Sequence, residues 1–165
     1  MGLFPDLSKA YDPLNHEILL RKLELYRIRG TALKWIASYL SKRSQMVTVG
    51  KKNDRAWSNK SKLTVGIPQG SVIGPLLFTT YVNDITDIKS EDVKCNITTY
   101  ADDTNMLVTA ASITDVVKKA NLIMVEAGNW LLKNKLISNS TKSNIMLFKT
   151  NRGRTDEPQK VRLGL

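Results

Sequence analysis

Cys95-Asn96-Ile97-Thr98-Thr99-Tyr100-Ala101-Asp102-Asp103-Thr104-Asn105-Met106-Leu107-Val108 carries most of the information about the fold. β-branched residues recur on both sides of a central Ala-Asp-Asp. The pattern predicts two short strands over about 95–109, meeting at an acidic turn. Asp6 lies in Leu3-Phe4-Pro5-Asp6-Leu7, another candidate strand. Between these segments sits Gly66-Ile67-Pro68-Gln69-Gly70-Ser71, a turn punctuated by Gly and Pro. Carboxylates at the ends of neighbouring strands suit a hard divalent cation and phosphoryl transfer. An Asp-Asp pair also has a purely local explanation, because Asp bonds its own backbone in turns and tolerates unusual dihedrals.

Composition narrows the choice of partner. The 165 residues correspond to about one domain, and 42% hydrophobic content supports a packed core. Lys and Arg number 25 against 15 Asp and Glu, a net charge of +10. That surplus fits a polyanion such as nucleic acid, and it also fits a basic, solvated surface. A single cysteine, Cys95, excludes an internal disulfide and a Cys-based zinc site. The single histidine, His16, reads as a residue at a helix start. No apolar run approaches the ~18–20 residues that span a bilayer, so no membrane partner is expected.

The coarse element pattern interleaves strands and helices. Asp12-Pro13-Leu14-Asn15 supplies turn and cap chemistry for a helix over about 16–28, with Leu19, Leu23 and Tyr26 on one face. Leu33, Ile36 and Leu40 mark a second helix; Trp35, Trp57 and Trp130 offer rings for stacking bases, as in single-strand binders, but Trp35 beside that helical rhythm reads as a packing residue. Gln45–Val49 alternates like a half-buried strand, returning through Lys62–Val65. Residues 71–85 have helical composition, with Pro75 tolerable only near the first turn. Ser112-Ile113-Thr114-Asp115 resembles a capping box before a helix over about 113–133. Ile145–Phe148 is a last apolar strand. The expected fold class is α+β, an antiparallel sheet with helices on one side.

Two carboxylates a few ångströms apart repel, and a Mg²⁺ ion between them relieves that repulsion. The turn at 66–74 reads either as a loop before a helix cap or as a place where backbone approaches a nucleotide closely. No Gly-Lys-Ser/Thr follows, so it is not a Walker loop.

In chain order, Asp6-Leu7-Ser8-Lys9-Ala10-Tyr11-Asp12, Gly66 through Phe78, and Tyr100-Ala101-Asp102-Asp103 resemble motifs A, B and C of reverse transcriptases. Over roughly residues 3–150 the chain is similar to the palm of a non-LTR (LINE-type, jockey-like) retrotransposon reverse transcriptase. The resemblance implies a polymerase palm over 1–150 (motifs A to D) and a basic, loosely ordered tail over 151–165. It implies RNA-directed DNA polymerase activity: deoxynucleotides from their triphosphates added to a DNA primer 3′-OH on an RNA template. The expected cofactor is Mg²⁺, two ions, with Mn²⁺ as a substitute.

Residue roles follow from the same resemblance. Asp6 and Asp102 are metal ligands, with Asp103 the second acid of motif C. Tyr11 takes the position of the aromatic gate against a ribose 2′-OH, and is otherwise a core aromatic. Gln69 and Gly70 border the incoming nucleotide. Lys142 matches the motif D lysine that protonates pyrophosphate, and is otherwise a surface lysine. Pro5 lacks a ladder hydrogen bond and belongs at a strand start or edge. The chain opens almost on motif A, so complete fingers and thumb are expected to be lacking, as in a truncated copy. The alternative function is an inactive remnant that only binds nucleic acid. Family resemblance places the protein inside the cell, in cytoplasm and nucleus.

Overall fold

Proline sets where the first strand ends. In the computed structural model, which describes residues 1–51, 54–90 and 93–148, β1 (Gly2–Phe4) stops immediately before Pro5. The sequence predicted a strand from Leu3 to Leu7. Pro5 has no N–H to give to a neighbour, so the regular ladder cannot continue through it. The segment assigned to a tail, 151–165, lies outside the described residues.

β6 (Cys95–Tyr100) and β7 (Asp103–Val108) form the expected hairpin, and β8 (Asn144–Met146) is the last strand. The sheet runs β6-β7-β1-β8 with every neighbour antiparallel. Alternation along β7 buries Thr104, Met106 and Val108, while Asp103 and Leu107 face the open side. α4 (Ile113–Lys133) covers the buried face with Val116, Val117, Ala120, Ile123, Met124 and Ala127. Its boundaries match the expectation, and Ser112 Oγ accepts from the Asp115 N–H at 3.0 Å as its cap. The α+β class, with a helix on one side of the sheet, is therefore what the chain adopts.

A second core lies among α1 (His16–Leu25), α2 (Gly30–Leu40) and α3 (Gly74–Val82). Leu14, Leu19, Leu23, Phe78 and Tyr81 are fully buried there. α1 ends before the expected residue 28 because Arg27 takes φ 65° and turns the chain. The N–H of Ile28 then donates to Leu23 O at 2.9 Å and that of Arg27 to Glu24 O at 3.0 Å, a Schellman closure. Pro75 sits in the first turn of α3, and residues 83–87 continue as a 3₁₀ turn. Leu40 is buried at the end of α2, but Trp35 is exposed, contrary to the packing role expected of it.

Residues 44–51 and 54–62 form a thin ribbon instead of half-buried strands. β2 (Ser44–Gln45) pairs with β5 (Ser61–Lys62), and β3 (Thr48–Val49) with β4 (Ala56–Trp57). All four are exposed on both faces. Alternation alone could not show that, among the described residues, these strands stay exposed. Among the described residues, no helix is long and apolar enough to cross a membrane.

Lys22 is the one described charged residue buried in the core. Its ammonium donates to Tyr81 O at 2.5 Å and to Asp84 Oδ1 at 2.6 Å, and lies 4.9 and 5.0 Å from the Tyr81 and Trp130 ring centres. Burial pushes its pKa below the ordinary 10.5, against the hydrogen bond and charge of Asp84. The unfolded chain therefore holds this proton more tightly. The contribution of Lys22 to stability rises with pH from its folded pKa towards 10.5. Cys95 and Tyr81, pushed up from 9.0 and 10.0 chiefly by burial, oppose that rise above those values. Asp84→Asn should lower the Lys22 pKa further and destabilise the fold by about 2 kcal/mol at neutral pH, below a fully buried pair because Asp84 is partly solvated. NMR titration of the Lys22 Cε resonance, with urea melts of both proteins, checks the direction. An unchanged or raised pKa in the variant would refute it.

Candidate active site

Asp6 stands two residues beyond β1, and the segment 137–143 fixes its backbone. Its N–H donates to Ser143 Oγ at 3.0 Å, and its carbonyl accepts from the Asn139 N–H at 2.8 Å. Ser143 Oγ also donates to Asn139 O at 2.8 Å, and the Ser8 N–H donates to Ile137 O at 2.8 Å. Pro5 thus removes a ladder bond without leaving Asp6 untethered. The β1–β7 register pairs Gly2 with Leu107 and Leu3 with Met106. Asp6 lies past the end of that ladder, and Asp103 pairs with Tyr100 across the hairpin. These two acids line one cleft of about 280 Å³, together with Asn105, Lys142 and Asn144.

Asp102 faces elsewhere. It lies in the two-residue loop between Tyr100 and Asp103, which pair across the hairpin. Ala101, the other loop residue, takes φ 52°, a left-handed conformation that costs a non-glycine residue roughly 1–2 kcal/mol. Asp102 lines a second cleft, of about 430 Å³, with Lys9, Tyr11, Gln69, Gly70 and Ser71. Adjacent carboxylates of the hairpin tip therefore serve different clefts. The three acids expected as one metal-ligand group do not converge. Among the described residues, no three His, Cys, Asp or Glu side chains come together closely enough to hold a metal ion. Side chains on a strand and in its turn point different ways, and like charges with no cation between them gain nothing by approaching.

The wall of the larger cleft is stitched from the first and second motifs. The Ile67 N–H donates to Tyr11 O at 3.0 Å and the Gly66 N–H to Leu14 O at 2.8 Å. The His16 ring donates through Nε2 to Gly66 O at 2.7 Å, so the single histidine starts α1 and anchors this turn. Gly66 has φ 85°, and a Cβ there would lie 2.7 Å from Asp12 O. Its close backbone approach is thus internal, to Asp12, whereas the sequence suggested a nucleotide. Gly70 has φ 77° with open space where a Cβ would be. Tyr11 is half-buried and stacks on Phe78 at 4.7 Å between ring centres. It combines the two alternatives, core aromatic and cleft wall. Gln69 Nε2 donates to Asp12 Oδ1 at 3.3 Å.

Tyr11, Gln69, Gly70 and Asp102 are therefore brought together, and Asp6, Asp103 and Lys142 share the neighbouring cleft. Asp12 and Ser71 were missed as site residues. Asp12 had looked like turn chemistry, and only the fold lays it beside Gln69. Ser71 Oγ is buried in the cleft wall with no hydrogen-bond partner. Nothing in the sequence around it signals that.

With this geometry in view, comparison with known proteins places the chain. Residues 1–163 match the family described as reverse transcriptase (RNA-dependent DNA polymerase). The chain belongs to that family. It is 34% identical over 125 residues to the RNA-directed DNA polymerase from mobile element jockey of Drosophila melanogaster, covering 68% of this chain and 12% of that protein. It is 29% identical over 161 residues to the probable RNA-directed DNA polymerase from transposon X-element of the same species, covering 95% and 17%. The apo telomerase of Candida tropicalis, truncated from its C-terminal domain, shares the fold with a TM-score of 0.62 at 15% identity, over 92% of this chain and 31% of that one. The chain thus spans under a fifth of the length of these curated relatives.

Proposed function

We propose that this chain is the palm of an RNA-directed DNA polymerase of a mobile element, which transfers deoxynucleotides to a DNA primer 3′-OH on an RNA template. One observation carries the reading: an aromatic ring, a side-chain amide, a left-handed glycine turn and a carboxylate line one cleft of about 430 Å³. Tyr11, braced by Phe78, crowds the place of a ribose 2′-OH. Gln69, oriented by Asp12, and Gly70 border the incoming nucleotide. Lys142, beside Asp6 and Asp103, holds a proton for the departing pyrophosphate.

The donor set is hard oxygen, and Mg²⁺ is commonly held by one or two carboxylates plus substrate phosphates, so these residues fit it without a closed three-acid cage. Asp6 with Asp103 in one cleft, and Asp102 in the other, would each offer carboxylate oxygen to a Mg²⁺ ion, or to Mn²⁺ in its place. Bound metal supplies neutralisation of phosphate charge and a more acidic primer hydroxyl. Action in cytoplasm and nucleus belongs to the same proposal.

The division of the acids between two clefts favours a second reading, a remnant that binds nucleic acid without chemistry. Primer extension on a primed RNA, by the folded chain with Mg²⁺ or Mn²⁺, separates the two. Incorporation supports the polymerase. RNA binding that falls steeply with salt, without incorporation, supports the remnant.

A further inference from the structure

We propose that the outer face of α2 and the root of the 44–62 ribbon form a docking surface for single-stranded RNA, resting on the reading above that the chain's unpaired partner is an RNA template. Trp35, Tyr39 and Arg43 follow one another at intervals of four residues and make a continuous stack. The Trp35 and Tyr39 rings lie 6.1 Å apart and 20° from parallel. The Arg43 guanidinium lies 4.3 Å from the centre of the Tyr39 ring, and its Nε donates to Tyr39 O at 2.6 Å. Trp35 at the open end is 58% exposed. A preordered aromatic–guanidinium stack with one free face is what a base needs in order to stack without sequence preference.

Charge complementarity identifies the occupant. Residues 34–62 contain eight of the chain's 25 Lys and Arg and one of its 15 Asp and Glu, which is +7 of the total +10. Lys34 adjoins Trp35 in the chain, and Lys62 pairs across the ribbon from Ser44, next to Arg43. A protein or lipid partner would gain from the charge but would have no specific use for the stack. A flexible polyanion carrying flat bases uses both. An unpaired strand also exposes its base faces, which a duplex does not.

The surface is connected to the cleft. The Leu63 N–H donates to Arg43 O at 2.9 Å, which ties the end of the stack to the strand leading into Gly66–Gly70.

The test is fluorescence anisotropy of the full chain with a 15-nucleotide mixed-sequence RNA, across a salt series. Trp35→Ala should weaken binding about tenfold with an unchanged salt slope, and Trp35→Phe should restore most of it. Arg43→Gln should lower the slope of log K against log salt by about 0.7. Circular dichroism confirms folding, which an exposed Trp35 leaves intact. Binding by Trp35→Ala within about twofold of the unmodified chain would overturn the proposal. So would equal affinity for a duplex of the same length, or tighter binding of the matching single-stranded DNA. A chain that fails primer extension yet loses RNA affinity on Trp35→Ala refutes the polymerase and keeps the surface.

Discussion

Asp102→Asn should cut nucleotide incorporation by about 10³-fold while leaving the fold unchanged. The substitution keeps volume and one acceptor oxygen and removes a single negative charge. Asp102 is exposed at the hairpin tip, where no other part of the fold depends on it. Among the described residues that line the cleft shared by Tyr11, Gln69 and Gly70, it is the one carboxylate. Electrostatic stabilisation by a bound divalent cation is worth several kcal/mol, and each 1.36 kcal/mol is tenfold in rate, so losing its ligand costs about three decades. Single-nucleotide extension of a primed RNA at saturating Mg²⁺ measures this. An Asp102→Asn chain that extends primers at the unmodified rate would remove Asp102 from the chemistry and, with it, the proposed role of the cleft.

Gly66→Ala should cost about 3 kcal/mol and open the wall of the same cleft. Part of the cost is conformational: φ 85° is left-handed, and an L-residue there loses roughly 1–2 kcal/mol. The rest is contact. A Cβ would lie 2.7 Å from Asp12 O, a backbone atom that cannot rotate away. Relief requires separating the Gly66 turn from residues 11–14, which strains the hydrogen bonds from Ile67 to Tyr11, from Gly66 to Leu14 and from His16 to Gly66. Thermal unfolding should drop by about 10 °C for a domain of this size. Gly70→Ala is the matched comparison. It has a similar φ of 77° with empty space around the added methyl, and should cost only about 1 kcal/mol. Equal losses at the two positions would show that backbone conformation accounts for both and that the contact with Asp12 contributes nothing.

Much of the fold is written locally. The capping chemistry at Ser112 and the helical rhythm from Val117 to Leu131 place α4, because both signals operate within a few residues. The acidic turn between two β-branched runs places the β6–β7 hairpin for the same reason. The ribbon at 44–62 was less legible. Alternation marks a strand, but whether either face is covered depends on elements distant in sequence. Trp35 failed in the same way: helical spacing beside Leu33 and Ile36 could not reveal that the face carrying it is uncovered.

By itself the sequence determined the family, the order of the three motifs, the concentration of positive charge at 34–62 and the identity of the candidate acids. These are properties of residue type and spacing, and they survive any arrangement in space. Only the tertiary structure decided which of those acids meet. Asp6 and Asp103 line one cleft, while Asp102 at the hairpin tip lines another with Tyr11, Gln69 and Gly70. Neighbouring residues at a strand end can face different clefts, and residues more than fifty apart, such as Asp12 and Gln69, can share a hydrogen bond. Long-range packing fixes both, and no local pattern encodes it.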